Sequence, residues 1–91
     1  MYLEIISPEA ILYQGEVKSI SFPGSYGDFQ VLDNHAPIVS TLKKGKVKIQ
    51  GKMSINKEVK KYFNVSDKET FLDINSGTVE MSNNNVTLLI D

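Results

Sequence analysis

The chain has a single imidazole, His35, with Asp28 and Asp33 close to it in sequence and serines at positions 25 and 40. A nucleophile, a base and an orienting acid are drawn from these residue types. Their setting argues against that chemistry. A triad depends on hydrogen-bond geometry held by firm elements, whereas PGSYGDFQVLDNHAP, residues 23 to 37, is rich in turn formers and has no Gly-x-Ser-x-Gly elbow. Asp67, Glu69 and Asp73 offer no better acid–base pair, because nothing around them marks burial. There is no Gly-x-x-x-x-Gly-Lys loop to cradle phosphate, no cysteine to supply a thiolate, and one histidine cannot build a histidine-based metal cluster. The expectation is therefore no catalytic, cofactor or metal site, which leaves binding.

For binding, the same stretch is better suited. Pro23, Gly24, Gly27 and Pro37 restrict or re-aim the backbone, and between them stand Phe29, Val31 and Leu32. Alternation in an extended segment puts Phe29 and Val31 on one face and Leu32 on the other. One face can then fill the core while the other is presented to a partner. His35 has two readings, a turn histidine bonded to backbone or an interface residue.

The elements that position these residues are strands. Leu3 and Ile5, Ile20 and Phe22, and Val47 and Ile49 alternate with polar neighbours, and turn residues punctuate the runs at Ser7-Pro8, Gln14-Gly15, Pro23-Gly24, Lys44-Gly45 and Gly51. GTVEMSNNNVTLLI reads as a hairpin. With Asn83 and Asn84 as a two-residue turn, Ser82 faces Asn85, Met81 faces Val86 and Val79 faces Leu88. In SINKEVKKYFNVSDKE two periods compete: Val59, Tyr62 and Phe63 fit a helix, and Val59, Phe63 and Val65 share one face of a strand, the reading adopted. Many short strands and little helical periodicity predict an all-β fold, a β-sandwich or flattened barrel, as one domain over residues 1–91.

Composition narrows the partners. Ten lysines, no arginine and eleven acids give a net charge of -1, which predicts no nucleic-acid partner. MYLEIISPEA has neither the basic region nor the long apolar run of a signal peptide or membrane span.

Taken together, PGSYGDFQVLDNHAPIVSTLKKG resembles the signature segment of the epsilon subunit of F-type ATP synthases, at Pro23, Gly24, Gly27, Phe29, Val31, Leu32, His35, Ala36, Pro37, Leu42 and Gly45. LEIISPEAILYQGEVKSISFPG is similar to that family's first strands at Pro8, Gly15, Glu16 and Val17. SGTVEMSNNNVTLLID is similar to its last hairpin at Gly77, Val79, Glu80 and Val86. The resemblance implies a sandwich of roughly ten strands that serves as a non-catalytic rotor subunit, joining the gamma subunit of the central stalk to the polar loops of the membrane c ring. It implies location at the cytoplasmic face of the cell membrane, with membrane contact only through the complex. By the same resemblance the partner-binding residues on the c-ring side are Ser25, Tyr26, Gly27, Asp28 and Phe29, together with His35, Ala36 and Pro37 in the same lobe. No short motif marks the gamma contacts.

Departures from the family pattern are Asp33-Asn34 in place of Pro-Gly, Lys44 in place of proline, and residues 52 to 70, which read as an insertion. The sequence ends at Asp91, where most members continue into a two-helix hairpin; the expectation is a sandwich without that switch. The competing reading is a free-standing β-sandwich adaptor for a peptide or glycan, and the lack of tryptophan weighs against a glycan.

Overall fold

The computed structural model describes residues 1–91. Its strands are β1 (Tyr2–Ile6), β2 (Ile11–Glu16), β3 (Ser19–Phe22), β4 (Phe29–Leu32), β5 (Ile38–Leu42), β6 (Gly45–Gln50), β7 (Phe63–Val65), β8 (Glu69–Ile74), β9 (Gly77–Ser82) and β10 (Asn85–Ile90). They form two five-stranded sheets, ordered β2-β1-β10-β9-β5 and β4-β3-β6-β8-β7. The β1–β10 pair is parallel and every other pair is antiparallel. This is the expected β-sandwich. It is not closed into a barrel: each sheet keeps two edge strands.

Binary alternation explains why the sheets stack. Leu3, Ile5, Val86, Leu88, Val79 and Met81 point inward from the first sheet; Ile20, Phe22, Val31, Val47, Ile49 and Leu72 answer from the second, and all are essentially inaccessible. Each such side chain contributes about 1.5–3 kcal/mol on burial. One cluster of 20 buried residues joins the two layers. A one-residue slip of any strand would turn this set to solvent, so the pattern itself sets the register.

The C-terminal hairpin pairs Ser82 with Asn85, Met81 with Val86 and Val79 with Leu88, as expected. Asn83 and Asn84 have φ of 51° and 62°, the left-handed pair of a type I′ turn, whose twist matches that of the flanking strands.

Residues 52 to 70 correct the strand reading. Lys60–Tyr62 form a 3₁₀ turn, with the Tyr62 N–H donating to the Val59 carbonyl at 3.0 Å, and between β6 and β8 only Phe63–Val65 is extended. Val59 and Phe63 are buried, but Val65 is exposed. The turn lets Val59 and Phe63 both reach the core, whereas Val65, on the same face of β7 as Phe63, lies at the end of this three-residue edge strand and outside the core.

Candidate interaction surface

The loop between β3 and β4 is clamped across the gap between the sheets. Lys43 N–H donates to the Pro23 carbonyl at 2.9 Å, and Ser25 N–H donates to the Thr41 carbonyl at 3.0 Å, so Gly24 bridges to Leu42 at the end of β5. The Thr41 hydroxyl adds a 2.9 Å bond to Ser25 Oγ. The Gly27 N–H turns back to the Gly24 carbonyl at 3.1 Å, and Gly27 takes φ 130°, which an L side chain rarely adopts. Pro23 and Gly24 are buried beneath, while Ser25, Tyr26, Gly27 and Asp28 are exposed. Tyr26 is 102% exposed at the tip, an aromatic ring with no intramolecular contact to justify it. The backbone hydrogen bonds that tie this loop down do not involve Lys44.

Phe29 turns the other way. Its ring lies 5.3 Å from that of Phe22 at a 32° tilt, packed against the core, and Val31 follows it inward while Leu32 is exposed. The alternation expected of these three residues is observed. Phe29 thus supports the loop from within.

His35, Ala36 and Pro37 are exposed too, but the structure does not bring them beside Ser25–Asp28. Phe29 pairs with Phe22 and Leu32 pairs with Ser19, so the two groups leave opposite ends of β4. At about 3.3 Å per residue the strand alone separates them by about 10 Å. The His35 end sits with the β9–β10 turn: Asn34 N–H donates to Asn84 Oδ1 at 2.8 Å. Asn34 has φ 63°, a conformation glycine adopts freely and asparagine tolerates, which accounts for Asn at that position of the family pattern. His35 Nδ1 donates to the Ala36 carbonyl at 2.7 Å, so its ring is a backbone-bonded turn histidine. The Asp33 carboxylate pairs with the Met1 amino group and not with the imidazole, which leaves no acid–histidine couple.

Strand register also exposes a surface that the sequence reading missed. Thr41, Thr78, Leu89, Ile6 and Ile11 are successive neighbours across the outer face of the first sheet. Ile11 and Leu89 are each about half exposed, and Val39 stands 77% exposed in the next row with Glu80 and Glu4. Ile6 alternating outward with Tyr2 and Glu4 was the available signal, visible only once β1 is known to lie between β2 and β10.

A family model described as the β-sandwich domain of the ATP synthase delta/epsilon chain matches residues 1–91. The chain belongs to this family. It is 38% identical over 90 residues to the ATP synthase epsilon chain of a Nitratiruptor species, covering 98% of this chain and 59% of that relative. It is 39% identical over 89 residues to the epsilon chain of Leptospira interrogans, with the same coverage of 98% and 59%. The chain therefore spans about three-fifths of the length of these relatives. A solved structure of the central stalk and c ring of the mitochondrial ATP synthase from Tetrahymena thermophila contains a chain of the same fold, with a TM-score of 0.73 at 16% identity, over 99% of this chain and 62% of that one. As an epsilon-type sandwich the chain carries no assembled catalytic couple around its only histidine. No helix is long and apolar enough to cross a membrane.

Proposed function

We propose that this epsilon-type sandwich is a non-catalytic rotor element of an F-type ATP synthase, joining the gamma subunit to the polar loops of the c ring and helping to couple ion flow to ATP synthesis. The observation that carries the reading is the Gly24–Asp28 loop. It is tied to the β5 end by two backbone hydrogen bonds, backed by the Phe22–Phe29 pair, and presents Tyr26 and Asp28 outward. Transmission of torque needs a contact that does not yield, and a loop fixed to both sheets meets that requirement. Ser25, Tyr26, Gly27 and Asp28 form the ring-side contact. His35, Ala36 and Pro37, at the opposite end of β4, belong to the same ring-side lobe and extend the contact by the length of that strand. The chain reaches the cytoplasmic face of the membrane through the complex alone.

Cross-linking tests this. Asp28→Cys, placed in the assembled synthase, should form a disulfide with a cysteine introduced into the c-subunit polar loop, and Lys57→Cys should not. If neither forms while gamma and c subunits fail to co-purify with the chain from membranes, the rotor reading fails.

A further inference from the structure

The segment 52–70 builds, with two other strand connections, a polar hollow at the end of the second sheet away from the Gly24–Asp28 loop. It is lined by Lys18, Gln50, Gly51, Lys52, Asp67 and Lys68, with no hydrophobic residue, and has a volume of about 540 Å³. Lys18 comes from the β2–β3 connection, Gly51 and Lys52 from the chain leaving β6, and Asp67 and Lys68 from the β7–β8 turn. We propose that this hollow binds a phosphate-class polyanion, such as pyrophosphate or the phosphate chain of a nucleotide.

Backbone pairing holds the three segments side by side, Lys18 to Gln50 and Gln50 opposite Glu69, so the three lysines stem from one rim of the hollow. Lys18 N–H donates to the Gln50 carbonyl at 2.8 Å. Gly51 has φ 135°, and a Cβ there would stand 3.0 Å from Lys18 N and 3.2 Å from Val17 Cα, so only glycine lets the strands approach this closely. Ser66 closes the third segment, donating from its N–H and its hydroxyl to the Glu69 carbonyl at 2.9 and 3.1 Å.

The charge is uncompensated. Three lysines face one aspartate in a chain whose net charge is -1, and none of the three forms an ion pair, whereas Lys46 and Lys48 are paired with Asp73 and Glu69. Glu69, next to Lys68 in sequence, is turned to Lys48 and Gln50. The Gln50 amide is committed as well, accepting from the Ser19 hydroxyl at 2.9 Å and donating to Glu69 at 3.2 Å. What is left free is ammonium donors, each a compact charge suited to oxyanions with several oxygens. The hollow exceeds one phosphate and has no aromatic side chain on which a base could stack, so the phosphate chain is the part it recognises.

The test is a titration of the folded chain, with isotope-labelled lysine, by sodium pyrophosphate at constant ionic strength. Saturable shifts should be confined to Lys18, Lys52 and Lys68, with half-saturation on the order of 1 mM, as a few solvent-screened charge contacts allow. ATP should match inorganic triphosphate. Lys52→Gln and Lys68→Gln should each weaken binding by about five-fold, and Lys57→Gln, in the same segment but outside the lining, should leave it unchanged. Retention on vesicles of anionic phospholipid that pyrophosphate competes away would uphold the same chemistry with a lipid headgroup as its source. Non-saturable shifts spread over all the lysines, or binding indifferent to the Lys52 and Lys68 replacements in variants with native spectra, would overturn the proposal.

Discussion

The Asn34 backbone N–H donates to Oδ1 of Asn84 across 2.8 Å of space and 50 residues of sequence. Both residues hold the left-handed conformation, so two turns that any local reading treats as separate are locked face to face. The turn that carries His35 is thereby fixed to the β9–β10 hairpin.

Asn84→Gly keeps the backbone geometry and deletes the acceptor, and should cost about 0.5–1.5 kcal/mol, the typical net contribution of one hydrogen bond. Asn84→Val loses the acceptor and adds a β-branched side chain at positive φ, with a further penalty of about 1–3 kcal/mol. Urea unfolding checks both. Equal midpoints for Asn84→Gly and the parent, with Asn34 amide exchange unchanged, would show that the bond contributes nothing.

At Gly24 a Cβ would lie 2.5 Å from the Gly27 carbonyl oxygen and 2.8 Å from Phe29 Cε1, whereas at Gly27 it would meet nothing. Gly24→Ala should therefore destabilise by steric crowding, about 1–3 kcal/mol, and broaden the Phe29 ring resonances. Gly27→Ala incurs backbone strain alone and should leave the Phe22–Phe29 contact intact. Identical ring spectra for the two variants would contradict this origin of the loop's stiffness.

The Glu69 carboxyl is held below the usual glutamate range, first by the hydrogen bond from Gln50 and then by Lys48. A depressed folded value means that this stabilisation is present above the ordinary glutamate pKa and disappears as pH falls through the lower folded value. Glu69→Gln cannot titrate, so its urea midpoint should fall less steeply on acidification through the carboxylate range. Parallel pH profiles for parent and variant would be the contrary result.

Burial pushes the Tyr13 phenol up, and the charge of Glu16 and then Tyr2 add to the effect. A raised folded value gives stability that is complete below the unfolded tyrosine pKa and lost as pH rises through the folded one. Alkaline titration followed by ultraviolet absorbance should show one of the four tyrosines ionising late, together with unfolding. In Tyr13→Phe that late component should vanish; its persistence would assign it to another residue.

Asp28→Lys and His35→Ala should each weaken rotor assembly while changing the stability of the isolated chain by no more than about 0.5 kcal/mol, since both residues are exposed. Because they lie at opposite ends of β4, their effects on assembly should add. Strong non-additivity in a double-mutant cycle would mean that they meet one partner surface together.

Local pattern was enough to determine much of this protein. Period-two alternation identified the inward faces at Leu3 and Ile5, Ile20 and Phe22, and Val47 and Ile49, because burial on one side of a pleat leaves that imprint in any single strand. The Asn83-Asn84 turn gave the whole β9–β10 register, since a two-residue loop leaves only one pairing that keeps the apolar set together. The ordered residues of the signature segment carried the family. Tertiary structure decided the rest, where the answer depended on contacts between segments far apart in the chain. Ser25–Asp28 and His35–Pro37 are neighbours in sequence, but a fully extended β4 drives them apart, and Asn84, distant in sequence, is the residue that meets Asn34. Val59 reaches the core through a 3₁₀ turn that short-range periodicity cannot distinguish from a helix or strand. The lysines at 18, 52 and 68 share no motif; they face one hollow only because β3, β6 and the β7–β8 hairpin end at the same edge of the sandwich.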